Sequence, residues 1–157
     1  MYRTNKLTRL NLLVVALLVC AVGCGKPTDK FIGQYTGKVQ LLPLAEKRLA
    51  QLPPQAAAQA RSTIENLKMN LDLRKDMTYT TNMEFPGNTY SVSGKWFLSN
   101  GTLTLVNNSE TKNGQTTTLP GNSADVLSPD SEGKVLKMGA ASNPALAGMT
   151  ITFTKGS

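Results

Sequence analysis

Between Leu67 and Leu105 the chain alternates apolar and polar residues with period two, in four successive segments separated by short turn signals. "LKMNLDL" places Leu67, Met69, Leu71 and Leu73 on one side and Lys68, Asn70 and Asp72 on the other. Lys75 and Asp76 occupy a tight turn, after which "MTYTTNM" groups Met77, Tyr79, Thr81 and Met83. A second turn falls at Pro86 to Asn88. "YSVSGKWFL" then sets Tyr90, Val92, Gly94, Trp96 and Leu98 in one row, and Leu103 and Leu105 return after Asn100 and Gly101. Successive side chains of a strand point to opposite faces, so this spacing demands a sheet with one buried face. Asn-Gly supplies the left-handed conformations of a two-residue hairpin. Parallel strands need long crossovers, so four strands joined this closely form an antiparallel meander.

The flanks extend the pattern. "FIGQYTGKVQL" alternates Phe31, Gly33, Tyr35, Gly37, Val39 and Leu41 against Ile32, Gln34, Thr36, Lys38 and Gln40, and its inward glycines point to close approach of another element. Residues 42–66 change character: "LPLAEKRLAQL" is helical in composition, Pro53 and Pro54 interrupt it, and Pro54 suits the first turn of a second helix. Ala57, Ala60, Ile64 and Leu67 recur at helical spacing as a thin apolar stripe, suited to capping one end of a sheet. Later segments at Gln115 to Leu119, Ala124 to Leu127, "KVLKM" and "MTITFTK" add further strands. The expected architecture is mainly β: a small antiparallel up-and-down barrel or strongly curled sheet over 31–157, with a helical insertion over 42–66 after the first strand. Closure removes the exposed edges that a long meander would carry.

The only two cysteines, Cys20 and Cys24, lie in the N-terminal stretch "MYRTNKLTRLNLLVVALLVCAVGCGKPTDK". Arg3, Lys6 and Arg9 precede an apolar run from Leu12 to Val22, too short for the roughly 20 residues that span a bilayer. The pattern is that of a secretory leader over 1–23 followed by a tether over 24–30. Two cysteines without histidine offer too few soft ligands for a zinc or iron–sulfur site. A disulfide within "CAVGC" would close a very short loop. An uncleaved N-terminal anchor is the remaining alternative.

"AVGC" resembles the lipobox of bacterial lipoproteins, in which the cysteine sulfur is acylated and the leader is cut just before it. Ala21 stands where that family usually has leucine. The resemblance implies lipidation at Cys24, attachment to a bilayer, and a location in the cell envelope outside the cytoplasm. With Gly25 rather than aspartate after the cysteine, it implies the outer membrane in a cell that has one. In the folded region, "GQYTG", "LDLRKDMTYT", "GKW" followed by "NGTLTL", and "ITFTK" are similar to small lipocalin-like domains of bacterial lipoproteins, including the N-terminal domain of the NlpE type. The cysteine pair of that type has no counterpart after Cys24. The resemblance thus implies a small barrel, which in some of these domains takes part in envelope sensing or assembly, and the copper- or thiol-linked role of the NlpE type is not carried over.

Composition narrows the function classes further. The chain carries 17 basic and 10 acidic residues and no histidine, and without the leader the balance falls to 14 against 10. The basic residues are scattered and no aromatic platform is interleaved with them, so nucleic acid is not an expected partner. Absence of histidine excludes Ser-His-Asp and Cys-His catalysis. Asp72 falls on the outward face, Asp76 in a turn, and Glu84 and Glu110 at loop edges, so no carboxylate pair is expected for hydrolysis. The expectation is a non-enzymatic protein without cofactor or metal. It acts through surface contacts with envelope proteins or peptidoglycan, or alternatively carries or senses a small apolar ligand inside the barrel. In that alternative Tyr35, Tyr79, Tyr90 and Trp96 are the candidate lining residues, while Met69, Met77, Met83 and Met138 are suited to filling gaps in a packed interior.

Overall fold

A computed structural model describes residues 26–121, 123–139 and 147–156. A 3-10 turn (Asp29–Phe31) leads into β1 (Gly33–Leu41), followed by α1 (Pro43–Ala50) and α2 (Pro54–Glu65). Then come β2 (Lys68–Leu73), β3 (Thr78–Phe85), β4 (Asn88–Ser99), β5 (Thr102–Lys112), β6 (Gln115–Thr118), β7 (Ala124–Pro129), β8 (Val135–Gly139) and β9 (Met149–Lys155). Every pairing is antiparallel, and β1 pairs with both β2 and β9 while β4 pairs with β5. The sheet therefore closes on itself as an eight-stranded up-and-down barrel, β1-β2-β3-β4-β5-β7-β8-β9. This architecture is compatible with a lipocalin-like fold. Strand β6 stays outside the ring: it pairs only with the distal half of β5, whose first half pairs with β7.

The alternating rows become the interior. Tyr35, Leu71, Leu73, Tyr79, Trp96, Leu103, Leu105, Leu127, Leu136 and Phe153 are almost wholly buried in one cluster. Each fully buried apolar side chain contributes roughly 1.5–3 kcal/mol relative to exposure. Two inward glycines are needed where neighbours approach most closely. A methyl at Gly37 would press on Phe153 and Met69, and one at Gly94 would overlap the Val106 carbonyl oxygen.

Two local features depart from simple alternation. Phe31, in register with the first strand by sequence, instead ends the 3-10 turn and plugs the barrel floor, 1% exposed. The Tyr35 hydroxyl reaches the carbonyl oxygens of Phe31 and Gly133, each at 2.8 Å, tying that plug to the β7–β8 loop. Between β4 and β5 the register shifts at Ser93/Gly94: Ser93 faces Ser109 but Gly94 faces Asn107, leaving Asn108 as the extra residue of a bulge. Beyond the bulge the parity of β5 inverts. Val92 faces Glu110, so Glu110 shares the inward row rather than sitting at a loop edge, and it is half-buried.

The helices sit at the end opposite the plug. Leu42 N–H donates to the Gly148 carbonyl at 2.8 Å, and Ala45, the buried residue of α1, rests on Gly148. Helix α2 buries no residue fully. Ala57, Ala60 and Ile64 are half-buried, and Leu67 just beyond packs against the barrel core. Across the helix pair the Arg61 guanidinium spans both carboxylate oxygens of Glu46. An exposed pair of this kind contributes about 0–1 kcal/mol. No helix among the described residues is long and apolar enough to cross a membrane.

Candidate functional site in the upper barrel

The barrel is packed throughout except for one small space in its upper half. A cavity of about 130 Å³ lies in the upper half, lined by Met69, Tyr79, Thr81, Met83, Val92, Leu105, Asp125, Met138, Ile151 and Phe153. Every strand of the ring except β1 contributes to this wall. Two larger grooves touch it from outside. One, of about 690 Å³, runs between Gln59 and Thr63 of α2 and the β3–β4 hairpin, and shares Met83 with the cavity. The other, of about 430 Å³, opens where β1 and β2 part beyond Gly37↔Met69; it is bordered by Ile64, Glu65 and Leu67 and shares Met69.

A polar seam runs up one side of the hollow. Tyr79 donates its hydroxyl proton to Asn107 Oδ1. The Asn107 amide nitrogen donates in turn to Ser123 Oγ at 3.2 Å and to Asp125 Oδ2 at 3.3 Å. Nearer the mouth the Tyr90 hydroxyl donates to Glu110 Oε2 at 2.7 Å. Burial pushes the Tyr79 phenol above its ordinary pKa, and the Asp125 carboxylate raises it further. Tyr90 is pushed up to about 12, by burial first and then by the hydrogen bond and charge of Glu110, with Asp125 adding to both. Both phenols therefore register a negative potential on this wall. Among the described residues no Lys or Arg lines the interior cavity.

The four aromatic residues singled out by sequence are not brought together. Tyr79 lies on the cavity wall and Tyr90 in the mouth groove. Trp96 sits lower, 1% exposed, with its indole N–H donating to the Arg74 carbonyl at 3.0 Å. Tyr35 belongs to the floor, where burial and then Asp130 push its pKa up to about 12. Cys24, the expected lipidation site, and Cys20 lie outside the described residues. Asp72 pairs with Arg74 at 2.9 Å on the outer surface, and Asp76 accepts from the Thr78 backbone and hydroxyl within its turn. Among the described residues no three His, Cys, Asp or Glu side chains converge as metal ligands.

Sequence reasoning missed Asn107, Glu110 and Asp125 as interior residues. Asp125 carries a signal in retrospect, since it alternates with Leu127 on β7, in register with Leu105. Glu110 carries none, because only the bulge turns it inward. No protein-family model and no curated protein matches this chain.

Proposed function

We propose that this protein is a lipid-anchored lipoprotein of the bacterial cell envelope. Its leader is removed before Cys24, that sulfur carries acyl chains, and the barrel works by surface contact with envelope components rather than as a catalyst or a lipid carrier. The observation that carries the second half is the filled interior. Eleven large side chains at under 2% exposure occupy the barrel, and the space left is about 130 Å³. Pockets for drug-sized ligands hold roughly 300–1,000 Å³, so an acyl chain or a sterol does not fit without displacing the core.

The lipobox-like "AVGC" supports the anchoring half. At about 0.8 kcal/mol per buried methylene, two or three acyl chains hold a domain of this size at a bilayer. The described chain enters the barrel at the plugged floor through Lys26 to Phe31, so a tether from Cys24 would join it at that end.

The intact mass of the protein from the membrane fraction tests the anchor. A chain beginning at Cys24 with added acyl mass is expected, and an unmodified cysteine or a retained leader overturns it. Crosslinking in intact cells tests the contact reading, with capture of an envelope protein or glycan expected. A saturable change in Trp96 fluorescence on titration with long-chain fatty acids would overturn the exclusion of lipid carriage.

A further inference from the structure

The antiparallel register lines up two outward rows across the sheet. Thr36, Asn70, Asn82, Ser91, Thr111 and Thr116 face one another in turn from β1 to β6. Beside them run Gln34, Asp72, Thr80, Ser93, Ser109 and Thr118, again one from each strand. Asp72 is the one charged residue of the two rows, and Arg74 holds it at 2.9 Å; every other side chain in them is a hydroxyl or a carboxamide. Exposed faces ordinarily carry Lys, Arg, Asp or Glu at about a quarter to a third of positions. The adjoining rows do so, with Lys38, Lys68 and Glu84 toward the mouth and Arg74 and Lys95 toward the floor.

Two troughs follow these uncharged rows. One, of about 430 Å³, crosses β1 to β3 from Gln34 and Thr36 to Thr80 and Asn82, with the Asp72–Arg74 pair in its lining. The other, of about 280 Å³, continues from Asn70 and Asn82 to Ser91 and Thr111, with Met83, Glu84, Thr89 and Tyr90 at its side. Asn70 and Asn82 line both, so the troughs form one path over five strands. With strands about 4.8 Å apart, that path presents a polar side chain at each step for roughly 19 Å. Part of the surface is satisfied internally: Ser93 bonds to Ser109 at 2.8 Å, Thr111 to Thr116 at 2.9 Å, and Arg74 to Thr80 at 3.0 Å. The side chains of Thr36, Asn70, Asn82 and Ser91 have no hydrogen-bond partner among the described residues.

An occupant has to match that chemistry. A hydroxyl both donates and accepts, and a carboxamide offers two donors and an acceptor. An anion finds only Arg74, already engaged by Asp72, and a cation finds Glu84, which faces Lys68 across the strands. An apolar segment finds Met83 and Tyr90 in the second trough alone. A sugar chain carries hydroxyls that donate and accept on every ring, without charge. We propose that the outer face of β1–β5 binds an uncharged, extended glycan that lies across the strands, with the Asn70 and Asn82 amides at its centre. This rests on the surface-contact reading, for which it names the class of partner, and it does not depend on the anchor.

The test follows the side-chain amide resonances of 15N-labelled full-length protein during titration with chitotetraose, with its deacetylated, cationic counterpart, and with the uncharged peptide acetyl-Ala-Gly-Ala-Gly-amide. Saturable shifts at the Asn70 and Asn82 amides are expected with chitotetraose alone. Both residues are exposed, so the combined Asn70→Ala and Asn82→Ala variant should keep the fold. It should bind chitotetraose about tenfold more weakly, the loss of two ordinary hydrogen bonds. Lys137→Ala, on β8, should bind as the unsubstituted protein does. Absence of saturable shifts with chitotetraose, equal affinity for the deacetylated chain or the peptide, or unchanged affinity in the combined variant overturns the proposal. The titration uses purified protein, so such a failure leaves crosslinking in intact cells as the separate test of surface contact.

Discussion

The hydroxyl of Tyr79 on β3 donates to the amide oxygen of Asn107 on β5, passing over Gly94 of the intervening strand β4, which pairs with both residues. Both residues are buried, at 1% and 7% exposure. Tyr79→Phe leaves the Asn107 oxygen without this donor in a dry setting, and should destabilise the barrel by about 1–3 kcal/mol. Paired with Asn107→Leu in a double-mutant cycle, the two losses should be strongly non-additive. Urea unfolding followed by Trp96 fluorescence measures each variant, and additive losses would show that the bond contributes nothing of its own.

Gly94 and Gly101 should fail for different reasons. Gly101 lies in the β4–β5 turn at φ +75° with open space around it, so Gly101→Ala meets only the left-handed penalty of about 1–2 kcal/mol. At Gly94 a methyl overlaps the Val106 carbonyl at the bulge, and the β4–β5 seam must part to admit it. Gly94→Ala should therefore cost about 3 kcal/mol or more and increase hydrogen exchange along β4. Equal costs at the two positions would remove the packing argument.

Three tyrosines predict an alkaline limit. Tyr35 and Tyr90 are pushed up to about 12 and Tyr79 is raised as well, with burial the largest cause in each. In the unfolded chain a phenol titrates near 10, so the folded state holds its protons more tightly. The stability linked to these groups is fully present below about pH 10 and is lost as pH rises toward 12, because there the unfolded state binds fewer protons. The urea midpoint should be flat from pH 8 to 9.5 and fall above 10, and Tyr35→Phe should make that fall shallower. A midpoint constant to pH 11.5 would contradict it.

Packing should be costlier to disturb at the floor than at the mouth. Leu136 is fully buried whereas Met83 is half-buried beside the cavity. Leu136→Ala should lose about 2–5 kcal/mol, and Met83→Ala should lose less than half as much because its site is already partly hollow. Thermal or chemical melts of the two variants check the order.

Much of the barrel is legible along the chain because strand alternation is a local property. Tyr90, Val92, Gly94, Trp96 and Leu98 share a face whatever they pair with, and Asn100–Gly101 turns the chain through its own backbone preferences. The prolines at 43, 53 and 54 similarly place the two helices. Of the upper cavity, Tyr79 and the methionines Met69, Met83 and Met138 stand in rows readable in this way.

The rest required the folded chain. Closure joins Tyr35 to Lys155 and Leu98 to Leu103 in one ring, and the first of these pairs is separated by most of the chain, where no periodicity reaches. Phe31 leaves the strand because an open floor is worth plugging only once seven other strands surround it. Glu110 faces inward because one extra residue, Asn108, inverts the parity of β5, and that bulge exists only in the pairing of β4 with β5. The sequence by itself determined which residues share a face and where the chain turns, since both follow from backbone geometry over a few residues. Only the tertiary structure decided which side groups meet along the cavity wall, because Tyr79, Asn107 and Asp125 come together through the pairings of β3, β4, β5 and β7.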